Sequence, residues 1–170
     1  MVLHKTSTHN TGFSVIEVIT VVSLIAIIAG SALVINMDSF RGNNFLNVRD
    51  TLVSSLQHAR AESINNICVG TVSVPCTEGK PHGVHIEKDI NGFVISYVIF
   101  QGTIYSSSDP INVAVDVSKN ISKGVSVTGA TDVYFEQLSG NTAPTSITVS
   151  DGLKSSIVNL ASEGQIFWTN

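Results

Sequence analysis

Residues 11–35 read TGFSVIEVITVVSLIAIIAGSALVI. From Val18 onward the run is nearly solid hydrocarbon, yet it carries one carboxylate, Glu17, close to its start. A charged side chain at the centre of a bilayer costs roughly 2.5 to 3.5 kcal/mol even on lenient insertion scales. An ionisable residue in such a run therefore marks a functional site, and something must compensate its charge.

Outside this run the sequence changes character and becomes rich in Ser, Thr, Asn, Gly and Val. A chain of 170 residues suffices for one compact domain with an appendage and is short for two. The apolar run and the polar remainder together read as an anchor followed by a soluble head. Formal net charge is −4, and the nine Lys and Arg are spread thinly from Lys5 to Lys154. A nucleic-acid binder concentrates its cations in a stripe, and none is visible here.

Three readings compete for the first 35 residues. A secretory signal peptide has a basic start, an apolar stretch of about 7 to 15 residues and a small-residue cleavage site. Lys5 and Ala29-Gly30-Ser31-Ala32 could serve, but the apolar run is long and contains Glu17. A plain transmembrane anchor needs about 20 apolar residues, which 13–37 provides, and leaves the glutamate unexplained. The third reading accounts for the glutamate. A short polar leader ends in Gly12, Phe13 follows, and Glu17 lies four residues on at the head of an apolar helix.

This GFSVIE block resembles the processing site of type IV prepilins and type II secretion pseudopilins. The resemblance implies cleavage after Gly12 by a prepilin peptidase and methylation of the new Phe13 amine. It also implies an assembly role for Glu17, whose carboxylate would pair with the Phe13 amine of a subunit already in the filament. The expected organisation is a leader at 1–12, a transmembrane and assembly helix at 13–38, and an extracytoplasmic head at 39–170. Many family members carry a proline midway along this helix. Here Ser31-Ala32-Leu33-Val34-Ile35 has none, and the resemblance would make Gly30 and Ser31 the soft point, since Gly lacks helix propensity.

Beyond Asn36 the pattern turns amphipathic. Phe45, Val48, Leu52, Leu56, Ala59 and Ile64 recur at three- and four-residue intervals, while Arg49, Asp50, Gln57, Arg60 and Glu62 fall on other faces. That period predicts a helix continuing from Phe13 to about Asn65, with its second half lying on a core. The Ala59-Arg60-Ala61-Glu62-Ser63 stretch resembles the helix end of H-type pseudopilins and FimT-like minor pilins. So do the two cysteines that follow and the hairpin pattern from Gly83 through Asp89 to Gly92. His58 and Arg60 themselves are expected as solvated helix positions.

From Ile67 on the text alternates strand and turn. The runs at 67–74, 83–89, 93–100, 111–118, 124–129, 132–138, 145–150, 155–161 and 165–168 are short and β-rich. Asp89-Ile90-Asn91-Gly92 reads as a hairpin turn and 107–110 as a loop, with Val113, Val115 and Val117 on one strand face. Together with the resemblance this predicts a pilin-like α+β fold, one long N-terminal helix packed on antiparallel β-sheets. Cys68 and Cys76, eight apart, suit a disulfide in an oxidising compartment, two buried free thiols being the alternative.

Sites for chemistry are sparse. His58, His82 and His85 form no HxxxH or HExxH spacing. Asp89 and Asn91 lie in a segment too short for a calcium loop. No GxSxG, phosphate-binding loop or paired catalytic carboxylates occur. The expectation is a non-enzymatic subunit without metal or cofactor. The end of the chain keeps a glycine, Gly164, where FimT-like pilins of DNA uptake carry a Gly-Arg-x-Arg-like tip, but the arginines are absent. Each phosphate contact needs a cation, so nucleic acid is not an expected partner.

The function the resemblance implies is a structural minor pilin or pseudopilin at or near the tip of a type IV pilus or type II secretion pseudopilus. Its partners would be the prepilin peptidase, other minor subunits, the major subunit, the inner-membrane assembly platform and membrane lipid. Its place would be the bacterial inner membrane, single-pass with the head outside, and then the filament. The cysteine pair and hairpin tilt the resemblance toward the pilus. A membrane-anchored extracytoplasmic binding module and a DNA-binding minor pilin are the alternatives.

Overall fold

A computed structural model describes residues 14–70, 75–109, 111–116 and 124–169, with the side chains of 32–41 and 113–116 left undescribed. Among the described residues there are one helix, α1 (Val15–Ile64), and eight strands. The chain divides into two units, Met1–Phe40 and Arg41–Asn170.

The helix starts where Ser14 offers its carbonyl to the amides of Glu17 and Val18, at 3.0 and 3.2 Å. The Glu17 carboxylate lies in the first turn, where the helix dipole favours an anion. No proline interrupts the 50 residues. The helix ends in a Schellman motif: Asn66 takes φ 55°, the Ile67 amide donates to Glu62 O at 3.0 Å and the Asn66 amide to Ser63 O at 3.2 Å. Asparagine tolerates this left-handed backbone, which is why the helix stops one residue short of the expected end.

In the second unit the amphipathic half of α1 supplies one wall of the core. Phe45, Val48, Leu52, Leu56 and Ala59 are buried as their spacing predicts. Ile64 is not, being 39% exposed, and the buried residue of the last turn is Ser63. Its hydroxyl accepts the His82 amide at 2.8 Å and donates to Phe135 O at 3.1 Å. A serine replaces a hydrophobe here because two main-chain groups of the sheet need partners at the helix end.

Two antiparallel sheets face this wall. In one, β1 (His82–Lys88), β2 (Val94–Gln101), β3 (Val113–Asp116) and β5 (Asp132–Phe135) take the order β3-β2-β1-β5. In the other, β4 (Ser126–Gly129), β6 (Thr145–Ser150), β7 (Ser155–Leu160) and β8 (Ile166–Thr169) take the order β4-β6-β7-β8. Among the described residues a bridge between Phe93 and Ser126 joins them. Their inward residues, Val84, Ile86, Tyr97, Ile99, Val133 and Phe135 from the first and Val127, Ile147, Val149, Val158 and Leu160 from the second, close on α1. Tyr97 is fully buried, and its phenol donates to the Val48 carbonyl of the helix at 3.1 Å.

The β1–β2 turn forms at the expected place. Asp89 Oδ1 accepts the amides of Asn91 and Phe93, both at 2.8 Å, and Gly92 takes φ 82°, a left-handed conformation that favours glycine. Eight of the nine expected β-runs contain a strand. The exception is 67–74: its described part, 67–70, is irregular and tied down by side chains. The Val69 amide donates to Gln101 Oε1 at 2.7 Å, and Gln101 Nε2 donates back to Val69 O at 3.3 Å. A glutamine fork thus takes the place of a strand ladder. Val117 and Pro110 lie outside the described residues.

Candidate functional site

The first unit carries the sequence's most unusual pairing of residues. Along α1 from Val15 to Ile28 every large apolar side chain stands exposed, from 49% at Val21 to 77% at Val15. Between Val15 and Ser31 the hydroxyls are those of Thr20, Ser23 and Ser31. Each donates to a carbonyl of its own helix: Thr20 to Glu17 O at 2.9 Å, Ser23 to Ile19 O at 2.8 Å and Ser31 to Ile28 O at 2.9 Å. Each hydroxyl is thus satisfied within the helix itself. Glu17 is the exception. It is exposed, and its carboxylate has no hydrogen-bond or ion-pair partner among the described residues.

Gly12 and Phe13, the expected cleavage and methylation positions, lie outside the described residues. So do part of the expected 13–38 span at its start and the side chains of 32–38 at its end. Among the described residues no helix is long and apolar enough to cross a membrane. The described side chains of this stretch run over 15–31, and the apolar run of the sequence continues beyond them to Ile35.

Cys68 and Cys76 are bonded, with their Cα atoms 5.8 Å apart, in the usual range for a disulfide. The free-thiol alternative is thereby removed. Cys76 Sγ lies 3.8 Å from Gln101 Nε2, so the same glutamine that holds Val69 also faces the disulfide.

His58 is solvated as expected, 61% exposed with Nε2 3.5 Å from Glu62 Oε1. Arg60 is not, and this corrects the sequence reading. Its guanidinium crosses to the end of the chain, donating from Nη2 to Glu163 O at 3.1 Å, while Nε is buried without a partner among the described residues. The arginine can lie there because residues 140 and 164 are glycines. Gly164 takes φ 70°, and a Cβ on it would collide with the Gly140 carbonyl oxygen. The arginine of the helix motif and the terminal glycine, far apart in sequence, thus form one bracket. Beside it a groove of about 420 Å³ runs between α1 and β8, lined by Arg60, Ala61, Ile64, Gln165, Ile166 and Phe167.

Two clusters escaped the sequence reading. On the outer face of the first sheet His85 Nδ1 lies 2.7 Å from Asp132 Oδ1, and the imidazole stacks on Tyr105 with centroids 3.8 Å apart. These residues are 47 and 20 positions apart, and only strand pairing of His85 with Asp132 brings them together. On the inner face His82 is 2% exposed, both ring nitrogens lack a hydrogen-bond partner among the described residues, and Nε2 stands 3.9 Å from Glu62 Oε2. Burial holds this imidazole below its ordinary pKa, against the opposing pull of Glu62. No group of three His, Cys, Asp or Glu among the described residues is placed to hold a metal ion.

No family model, curated protein or solved structure matches this chain.

Proposed function

We propose that the chain is a pilin-class structural subunit, a minor pilin or pseudopilin that is cut after Gly12 and enters a filament through its N-terminal helix. One observation carries this reading. An apolar helix surface, exposed throughout and with its hydroxyls satisfied internally, bears a single carboxylate without a partner in its own segment. A surface of that kind needs lipid or neighbouring helices to cover it. The glutamate needs a cation that arrives with that cover, and the Phe13 amine of a neighbouring copy is of the right charge. The α+β head behind it, with its helix laid on antiparallel sheets, agrees with the same assignment.

The test is the mass and first residue of the protein recovered from membranes of cells expressing a prepilin peptidase. A chain beginning at N-methylated Phe13 supports the reading, and one beginning near Ala32 or still carrying Met1 overturns it. Glu17→Ala separates a filament subunit from a tethered binding module. In the first case the variant accumulates in the membrane but is missing from sheared filaments. In the second it behaves as the parent protein.

A further inference from the structure

The second sheet ends in β8, whose outer edge carries main-chain groups without a partner. The Ala161 amide donates to Gln165 O at 3.0 Å, which fixes the alternation of the β7–β8 ladder. Gln165, Phe167 and Thr169 turn their main-chain groups to β7, and Ile166 and Trp168 turn theirs away. Among the described residues no strand pairs with β8 on that side. Two other edges are closed. On β5 the outward carbonyl of Tyr134 accepts the Thr142 hydroxyl at 2.7 Å, and β4 meets Phe93 through the bridge at Ser126. Natural proteins guard an open edge with charge, proline or a bulge. Gly164-Gln165-Ile166-Phe167-Trp168-Thr169 carries neither charge nor proline, and Phe167 is 49% exposed. Arg49 stands 5.6 Å from the Trp168 ring centroid and covers part of the indole, yet leaves the residue 45% exposed.

We propose that β8 is a self-association edge, pairing antiparallel with β8 of a second copy of this chain about a twofold axis at Phe167. The register follows from which residues face outward. Antiparallel hydrogen bonds form between outward-facing residues, and within β8 only an axis at Phe167 sets both of these, Ile166 and Trp168, opposite each other. Each of the three side chains then meets an apolar one. Ile166 meets Trp168 of the second copy on the inner face, and Phe167 meets its own counterpart on the outer face as a closely spaced, non-hydrogen-bonded aromatic pair. The groove of about 420 Å³ beside α1 leaves this edge open to a neighbouring strand. Four residues from each copy make a small contact, so the dimer is weak and dissociates on dilution. It involves the second unit alone and holds whether or not the first enters a filament.

The test uses the full chain in detergent micelles. Trp168 is the only tryptophan of the chain, so its emission reports the contact directly. On serial dilution of the protein at constant detergent, the emission maximum is expected to move to longer wavelength as the indole loses its cover. In Phe167→Lys, which sets like charges opposite each other on the axis, it should stay at the dilute value throughout. An emission that does not change on dilution of the parent protein, or that shifts equally in Phe167→Lys, overturns the pairing. Cysteine cross-linking separates it from association through α1. Phe167→Cys sets two thiols opposite each other within disulfide reach, whereas Ile157→Cys on β7 holds them three strand spacings, about 14 Å, apart. Mild oxidation is expected to give a covalent dimer of Phe167→Cys and not of Ile157→Cys. Cross-linking at 157 as readily as at 167, or none at 167, overturns the proposal.

Discussion

Single residues here act through what they hold together. Asp89 is one carboxylate serving two amides at the β1–β2 turn, and each such charge-assisted bond contributes about 1 kcal/mol or more. Asp89→Ala is expected to lower stability by about 1–3 kcal/mol in denaturant titration, while Asp89→Asn, which keeps an acceptor, loses less. Gly164 is constrained by its backbone and by its neighbour. Gly164→Ala places a Cβ where φ is 70° and the Gly140 carbonyl already sits, so a loss above the roughly 1–3 kcal/mol of backbone strain is expected by the same assay. His82 sets a pH dependence whose sign follows from its lowered pKa. Above the ordinary imidazole value of about 6.5 the ring is neutral folded or unfolded and contributes nothing to the pH slope. As pH falls below that value the unfolded chain takes up the proton first, so stability drops until the folded ring also titrates. Thermal unfolding at pH 7.5, 6.5 and 5.5 should show this loss in the parent protein and a smaller one in His82→Gln.

At the scale of elements, α1 and the sheets depend on each other for burial. Leu52 and Leu56 are fully buried in the core cluster that α1 shares with the strands, and truncating either to Ala is expected to remove about 2–5 kcal/mol. The strands were legible because their apolar residues alternate between Gly, Asn and Asp punctuation; β6, TSITVS, occupies its run end to end, and β7 fills its run but for the last residue. The run at 67–74 carries the same composition. Its described part misses the ladder because Gln101, at the end of β2, pairs with Val69 through its side chain. Propensity has no means of registering such a contact, since it depends on where β2 stops. The helix end was legible to within a residue, because Asn66 is a residue type that accepts the left-handed turn.

For the whole molecule, the two units have different needs. The second unit buries a core of apolar residues within its own chain, whereas the exposed residues of 15–28 have no cover among the described residues of theirs. On the proposed function the full chain should stay with membranes through an alkaline carbonate wash and leave them only in detergent; release by carbonate alone would count against an embedded helix. The sequence by itself determined the α+β class, the long helix with its two characters, the turn at Asp89 and the isolation of Glu17. All of these are set by local periodicity or by the cost of a charge in an apolar run. Only the tertiary structure decided that Arg60 reaches Glu163, that His85 meets Asp132, that Ser63 rather than Ile64 is buried, and that His82 is buried beside Glu62. Each of these depends on strand order and register, which place residues tens of positions apart within hydrogen-bonding reach and which no local pattern of side chains encodes.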